Sequence, residues 1–447
     1  MAYGPHTDTD RVRMRGALGI ATVGELFEDI PPDVRAGGLD LPDPVAEQDL
    51  MRELESFSAE NRLPVSFIGA GIYHHYVPPV VDDMIRRGEF ATAYTPYQPE
   101  VSQGTLQTIY EFQSLIAELT GLDVVSASHY DGATATVEAA LMAMRAKRSR
   151  RVLVSRGVNP HYIEVARTYF GDRLLADEVP LTASGTTDLS ALRQELASGG
   201  EPVAGVILAQ PNALGLIEDM HEAERVVHGG GALLVSVVEP TSLAVLAPPG
   251  EYGADISAGE GQPLGIAQQF GGPHLGLLAA TTALMRQIPG RIVGTTSDAD
   301  GRHCYVMTMR AREQDIRREK AASNICTNQA LCALAATVYL AAVGPRGLEN
   351  VAATGAERAR QLEAALVWAG AERLHTAPYL NEFAVEVPNA ERVHASLLEE
   401  GILAGLPLAS WFPDDARFRD ALLVCATEMT TSEEIDEFAR ALKKELA

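Results

Sequence analysis

A short run of small and hydroxyl-bearing residues precedes a strong helical pattern and could bind an anion. The run is SHYDGAT at positions 128–134, and apolar residues then recur at helical spacing from Val137 to Met144. A helix that begins here would present free backbone N–H groups and the positive end of its dipole to an anion such as a cofactor phosphate. We therefore take Asp131, Gly132, Ala133 and Thr134 as phosphate-loop candidates. The alternative is a plain helix start capped by the Asp131 side chain.

A second pattern combines an acid with a missing amine. The strand predicted at Leu233–Val238 ends at Glu239, where many enzymes that use pyridoxal phosphate (PLP) carry the acid that pairs with the pyridinium nitrogen. About two dozen residues later such enzymes present the lysine that forms a Schiff base. Here no lysine occurs between Lys147 and Lys320. The pattern predicts a cofactor-enzyme scaffold without its covalent chemistry; the alternative is a strand-end acid followed by a glycine-rich loop.

A third segment alternates prolines with tyrosines and amides. It reads TAYTPYQPE at positions 92–100 and SQGTLQ at positions 102–107. Two prolines favour a rigid, non-helical loop that carries several hydrogen-bonding side chains. Such a loop suits the rim of a pocket. The alternative is a structural loop whose tyrosines are half buried.

Two histidines and an asparagine complete the candidate residues. His74 and His75 lie beside an expected loop, where one of them could titrate near neutral pH and handle a proton. Paired histidines are as often ordinary hydrogen-bonding residues. Asn324 precedes an apolar run at 330–343, and it could face a pocket or, as we prefer, cap the helix that follows.

The order of predicted elements indicates the fold class. Short β-branched runs alternate with helical segments from about residue 67 to residue 238, and this alternation predicts a mainly parallel sheet with helices on both faces. Residues 1–65 carry helical patterns broken by prolines and lack a core of their own, so we expect an arm. After Pro345 a smaller α+β pattern follows, and its last helix opens with Thr431 and Glu434 spaced as a capping box. We predict a large α/β domain at 66–325 and a linking helix with a small α+β domain at 326–447.

Composition excludes several classes of partner. The chain has 447 residues and a formal net charge of −24, so nucleic acid and anionic membranes are not expected partners. The N-terminus lacks an apolar leader segment, and the apolar run at 330–343 is too short to span a bilayer, so we expect a buried helix in a cytoplasmic protein. Two basic clusters stand out, at 145–151 and 310–320. We expect the first to lie at a helix C-terminus and the second at an interface with an acidic partner.

The cysteines predict neither a redox nor a metal site. Their spacing does not match zinc-ligand motifs, and no histidine set accompanies them. We expect no metal site and four buried thiols: Cys304, Cys326, Cys332 and Cys425.

Several long motifs together resemble a known family. They are FIGAG at 67–71, HHYVP at 74–78, the segment TAYTPYQPEVSQGTLQ at 92–107, SHYDGATA at 128–135, GGPH at 271–274 and AREQDIRREKAASNICTNQAL at 311–331. Over nearly its whole length the chain is similar to the N-terminal, alpha-type subunit (subunit 1) of the two-chain glycine decarboxylase, the P-protein of the glycine cleavage system. Glu239 departs from the family pattern, which has an aspartate at this position.

The resemblance implies a fold type I PLP-dependent architecture and an alpha2-beta2 assembly in which the beta-type chain supplies the lysine and so holds PLP. It implies that glycine condenses with PLP and loses carbon dioxide, and that the aminomethyl group passes to the lipoyl group of the H protein, with a functional link to the T and L proteins. We expect Tyr94, Thr95, Tyr97 and Gln98 to reach across the interface to the partner's PLP or to glycine.

Two alternatives remain open from the sequence. The chain could be a non-catalytic scaffold or regulator descended from a PLP enzyme, which would leave the partner active without it. It could also be a self-sufficient decarboxylase that uses Lys320. We disfavour the second alternative because Lys320 lies in an arginine-rich segment far from the expected strand end.

Overall fold

The computed structural model describes residues 5–94, 96–171 and 175–447, which fall into two compact units, Met1–Leu63 and Pro64–Ala447. The first unit contains helices α1 (Asp8–Leu18) and α2 (Glu47–Glu60), with two short 3₁₀ helices between them. Both helices are described in full, and neither buries a residue. This matches the expected lack of a core, while the interpretation of residues 1–65 as an arm stays a prediction.

The second unit contains a larger and a smaller sheet, two two-stranded sheets (β1-β13 and β9-β10) and the helices around them. Its strands are β1 (Val65–Ser66), β2 (Val124–Val125), β3 (Arg151–Ser155), β4 (Leu175–Val179), β5 (Val203–Gln210), β6 (Leu233–Val238), β7 (Ile256–Glu260), β8 (Gly276–Ala280), β9 (Ile292–Ser297), β10 (His303–Thr308), β11 (Glu372–Arg373), β12 (Glu382–Glu386), β13 (Ile402–Leu403), β14 (Leu406–Pro407) and β15 (Ala421–Cys425). Its helices are α3 (Pro79–Ile85), α4 (Gly88–Ala91), α5 (Gln103–Thr120), α6 (Gly132–Lys147), α7 (Pro160–Phe170), α8 (Leu189–Ala197), α9 (Met220–Gly229), α10 (Gln314–Arg317), α11 (Ala330–Ala369), α12 (Ala390–Glu399) and α13 (Ser432–Leu446).

The larger sheet is mainly parallel, as predicted. Its strand order is β2-β8-β7-β6-β5-β3-β4; β7, β6, β5, β3 and β4 run parallel, and β8 is antiparallel to β7 and to β2. Successive residues of β3 alternate between the two faces, since Val152 and Val154 belong to the core that includes α6 and α7, whereas Leu153 packs with α8 and α9. The predicted helices on both faces are therefore confirmed.

The smaller sheet has the order β11-β12-β15-β14 and is antiparallel. Its core includes Phe383, Leu423 and Phe438, and the last helix starts with the predicted capping box of Thr431 and Glu434. Phe67 belongs to this core, because β1 pairs with β13 and the carbonyl of Phe67 accepts the N–H of Cys425. The predicted division of the chain at residue 325 stays a prediction.

Helix α11 lies in the chain between the strands of the larger sheet and those of the smaller sheet, and it is interrupted at Gly344, where φ is 62°. By length and apolar composition, it is the one helix in the described part of the chain that could cross a membrane. Half of its most apolar stretch is buried within the fold. Ala333, Ala336 and Tyr339 are fully buried against the core that includes α5, which confirms the predicted buried helix at 330–343.

The prediction of four buried thiols is wrong for two of them. Cys332 and Cys425 are buried, whereas Cys304 is half buried and Cys326 is exposed. Cys326 lies in the extended segment before α11, where its carbonyl, rather than its side chain, is held by Arg291.

Candidate functional site

A small cavity lies where the carboxyl ends of β6 and β7 meet the start of α6. Three buried or half-buried acids line it, Glu239, Glu260 and Glu382, together with Tyr73 and Tyr162. This edge of a parallel sheet is where open α/β folds bind ligands. The cavity volume is about 60 Å³, whereas a site for a cofactor-sized ligand takes about 300 Å³ or more. The pocket expected from the sequence is therefore present but largely filled.

The carboxylate of Glu260 occupies the start of α6. Its Oε2 accepts the N–H of Gly132 at 2.9 Å, and its Oε1 accepts the N–H groups of Gln262 and Leu275, each at 2.9 Å. Burial raises the pKa of Glu260 to about 7, and the three N–H donors offset only part of that shift. The first free N–H of the helix, which would bind a phosphate in a cofactor enzyme, is thus bound by the protein's own acid.

The beginning of α6 is fixed by a local cap. Asp131 Oδ1 accepts the N–H of Thr134 at 2.7 Å, and Thr134 Oγ1 accepts the N–H of Asp131 in return. The alternative interpretation of this motif as a helix cap is confirmed. A Cβ added to Gly132 would lie 2.3 Å from the hydroxyl of Tyr162, so only glycine fits there. The phosphate-loop role of Asp131, Gly132, Ala133 and Thr134 stays a prediction.

The side chain of Glu239 binds backbone groups of the residues that follow it. Its two carboxylate oxygens accept the N–H groups of Thr241 and Ser242 at 2.9 and 2.7 Å and thereby cap a short 3₁₀ helix. With Glu239 engaged in this way, Glu260 at the anion position and no lysine at the strand ends, the residues of this pocket do not fit PLP. The absence of the lysine is visible in the sequence, whereas the carboxylate bound at the start of α6 is visible only in the structure.

Glu382 closes the cavity from the side of the smaller sheet. It is 2% exposed, its Oε1 accepts the N–H of Ala70 at 2.6 Å, and its Oε2 accepts the hydroxyl of Tyr73 at 3.0 Å. Burial raises the pKa of Glu382 to about 7, and the negative charge of Glu239 adds to the shift. Sequence reasoning missed this residue because it follows Ala70 by 312 positions and has no motif around it.

The tyrosine loop presents some of its side chains outward and ties others down. Tyr94 is 89% exposed and Gln98 is exposed, while Thr95 lies outside the described residues. The Tyr97 hydroxyl donates to Asn328 Oδ1 at 2.5 Å, and the guanidinium of Arg291 lies 4.1 Å from the centre of its ring. Burial raises the pKa of Tyr97. Asn328 and Arg291 were not among the sequence candidates, and they anchor the loop.

The remaining candidates lie in two other places. His75 is buried and its Nδ1 is 2.7 Å from Glu428 Oε2, whereas the side chain of His74 is exposed and its carbonyl accepts the hydroxyl of Thr427. Asn324 is exposed and lines a second cavity, of about 310 Å³, together with Thr134.

The preferred interpretation of Asn324 as a helix cap is wrong. Helix α11 is preceded by Gln329 at its N-cap position, and the Gln329 N–H donates to Ser128 Oγ. The segment before it runs extended because Ser323 donates to Glu138 and Arg291 binds the Cys326 carbonyl.

Comparison with known proteins agrees with this architecture. Residues 1–442 match the family model described as glycine cleavage system P-protein. A probable glycine dehydrogenase (decarboxylating) subunit 1 from Moorella thermoacetica is 51% identical over 451 residues, covering 100% of both chains. A crystal structure of glycine decarboxylase (P-protein) of the glycine cleavage system in inhibitor-bound form has a TM-score of 0.91 and 43% identity, with 99% of this chain and 100% of that chain covered.

More distant structures share the fold alone. The sphingosine-1-phosphate lyase of Burkholderia pseudomallei has a TM-score of 0.67 at 16% identity and covers 94% of this chain and 95% of its own. Together with the P-protein structure, this likeness confirms the predicted fold class.

Proposed function

The chain belongs to the glycine cleavage system P-protein family, and we propose that it is the subunit of a two-chain glycine decarboxylase that carries no cofactor lysine. The reaction of the family is the PLP-dependent decarboxylation of glycine, with transfer of the aminomethyl group to the lipoyl group of the H protein. When bound, PLP supplies an electron sink for the carbon that loses carbon dioxide. The chain described here contributes the scaffold and the contacts around that chemistry.

One observation carries the assignment of the cofactor to a partner. Glu260 ends the strand from which a fold type I enzyme would present its lysine, and its carboxylate accepts the Gly132 N–H that would bind the phosphate. One buried acid therefore occupies both the strand end that would present the lysine and the N–H that would bind the phosphate. In the assembly that we propose, the lysine belongs to a beta-type subunit in an alpha2-beta2 complex, which also uses the H protein, works with the T and L proteins and operates in the cytoplasm.

The proposed contribution of this chain to the active site is its tyrosine loop. Tyr94 and Gln98 are exposed, whereas Tyr97 is fixed by Asn328 and Arg291, so the loop has a rigid base and free polar groups. A rigid base favours contacts with a partner because little conformational entropy is lost when they form. We propose that Tyr94, Thr95 and Gln98 contact the partner's PLP or glycine and that Tyr97 positions them.

The deciding experiment is glycine-dependent exchange of labelled bicarbonate, with PLP and lipoylated H protein present. It compares this chain alone, the lysine-bearing partner alone and the mixture of both. We expect activity only in the mixture. Equal activity of the partner alone would make this chain a scaffold or regulator, and activity of this chain alone would contradict the proposal.

Replacement of Tyr94 by alanine should lower bicarbonate exchange by the mixture about tenfold, because one polar contact across the interface is lost. The isolated chain should keep its thermal midpoint, since Tyr94 is almost fully exposed. Tyr169, which is 52% exposed, provides a matched control, and Tyr169→Ala should leave exchange unchanged. Unchanged exchange in Tyr94→Ala, with assembly intact, would exclude Tyr94 from the site.

A further inference from the structure

A cationic cavity of about 550 Å³ lies near the C-terminal end of α6, on residues other than those of the site above. Five positively charged side chains line it and define what we call the cation pocket: Arg145, Arg286, Arg312, Arg317 and Lys320. Its lining contains no acidic residue among the described parts of the chain. In a protein with a formal net charge of −24, such a concentration of positive charge requires a specific reason.

The floor of the cation pocket is held in place by backbone carbonyls. Arg145 donates from Nη1 to the carbonyl of Ala322 at 2.8 Å and from Nη2 to the carbonyl of Gln287 at 3.0 Å. Arg312 donates from Nη1 to the carbonyl of Ile288. The two guanidinium groups are therefore oriented before any ligand binds.

These two arginines keep buried donors without acceptors. The Nε atom of Arg145 and the Nε and Nη2 atoms of Arg312 are buried and have no hydrogen-bond partner. Buried charged donors without partners destabilise a fold, and in native proteins they mark a bound water or ion. The Nε and Nη2 groups of Arg312 form one edge of its guanidinium, and two parallel N–H groups on that edge match two oxygens of an oxyanion.

The rim adds charge that the fold itself does not neutralise. Arg286 and Lys320 are exposed and have no ion pair or hydrogen bond within the described structure, and Arg317 uses only its Nε, on the carbonyl of Ala311. Glu138 and Glu313 act electrostatically on the two floor arginines and offset part of their charge, and the remaining excess of positive charge around the cavity favours a dianion over a single carboxylate. The volume exceeds that of a bare ion.

We propose that the cation pocket binds the phosphate group of a small soluble molecule, with Arg145 and Arg312 as the floor of the site and Arg286, Arg317 and Lys320 as its rim. This function goes beyond the proposed role in glycine decarboxylation and uses neither the acids of the small cavity nor the tyrosine loop, although Arg312, Arg317 and Lys320 belong to the basic cluster that the sequence placed at an interface with an acidic partner. Two kinds of small molecule carry this group, namely free inorganic phosphate and a phosphate ester.

The test is calorimetric titration of the full chain, and of its mixture with the partner, with inorganic phosphate at constant ionic strength set by chloride. We expect a Kd on the order of 0.1–1 mM for the wild-type chain. The double variant Arg286→Gln with Lys320→Gln should bind at least about tenfold more weakly, because it removes two of the five charges. Both side chains are exposed, so this variant keeps the fold. Arg312→Gln should abolish binding.

The control variant carries the same charge change elsewhere. Arg86→Gln with Arg302→Gln removes two exposed cations that pair with Asp82 and Asp300, and it should bind phosphate as the wild type does. Parallel titrations with glycerol 3-phosphate and glycerol distinguish the two sources: tighter binding of the ester identifies an ester site, and tighter binding of inorganic phosphate identifies a site for the free ion. No binding by the wild-type chain, or equal weakening in the control and the rim variant, would overturn the proposal.

Discussion

Replacement of Glu260 by leucine should lower the free energy of unfolding by about 3 kcal/mol near neutral pH. The buried N–H groups of Gly132, Gln262 and Leu275 would lose their acceptor, at about 1–3 kcal/mol each. Part of this loss is offset, because a carboxyl whose pKa is raised from 4.5 to about 7 costs about 3 kcal/mol when it is ionised in the fold. Urea denaturation of the full chain measures the difference.

Two further variants separate the hydrogen bonds from the charge. Glu260→Gln keeps one carbonyl oxygen for the N–H groups of Gln262 and Leu275 but turns an amide group toward the Gly132 N–H, so we expect a loss of about 1 kcal/mol. Glu251 is exposed, and Glu251→Gln should change stability by less than about 0.5 kcal/mol. If Glu260→Leu were as stable as the wild type, the carboxylate would not be the element that holds the start of α6.

The features that the sequence predicts correctly depend on neighbouring residues. The caps at Asp131 and Thr431 need only a side chain and a backbone N–H three positions away, so their spacing is visible in the chain. The parallel strands β5 and β6 follow from short β-branched runs separated by helical periods. Local rules also mislead, as at Asn324, where a good capping residue lies six positions before α11 begins.

The features that the sequence does not predict depend on contacts between residues that are far apart in the sequence. Glu260 and Gly132 are 128 positions apart, and the acid at the strand end does not by itself reveal which N–H it binds. The two basic clusters are visible in the sequence, but only the fold brings Arg145 beside Arg312 and turns separate runs of charge into one cavity. The expectation that the first cluster lies at a helix C-terminus is confirmed, since Arg145 and Lys147 are in the last turn of α6, and the fold gives Arg145 a second environment in the cavity.

The stability of the chain should depend on pH through Glu382, with a sign opposite to that of an ion-paired acid. Burial raises the pKa of Glu382 from 4.5 to about 7, so the folded state holds its proton over a range where the unfolded state has released it. Stability from this group is fully present below about pH 4.5 and is lost as the pH rises toward and through 7. The loss amounts to about 3 kcal/mol.

Glu428 has a lowered pKa and therefore affects the pH dependence of stability in the opposite direction. Burial would raise the pKa of Glu428, but its hydrogen bond and charge interaction with His75 and the N–H of Tyr76 outweigh burial and lower the pKa. Its contribution to stability is therefore present above the unfolded pKa and is lost as the pH falls through the folded pKa. Glu428→Gln should destabilise the chain at neutral pH, and acidification should reduce the difference from the wild type.

Glu382→Gln should become more stable relative to the wild type as the pH rises. The glutamine oxygen can still accept the Ala70 N–H, and the amide can donate to the Tyr73 oxygen, whose own proton then loses its acceptor at a cost of about 1 kcal/mol. At about pH 5 the variant should be slightly less stable than the wild type, and at about pH 8.5 more stable by about 2 kcal/mol, because it carries no buried charge. Urea denaturation at both values measures the change. A constant difference across this range would mean that Glu382 does not carry the raised pKa, and the acid that closes the cavity from the smaller sheet would then be ionised at neutral pH.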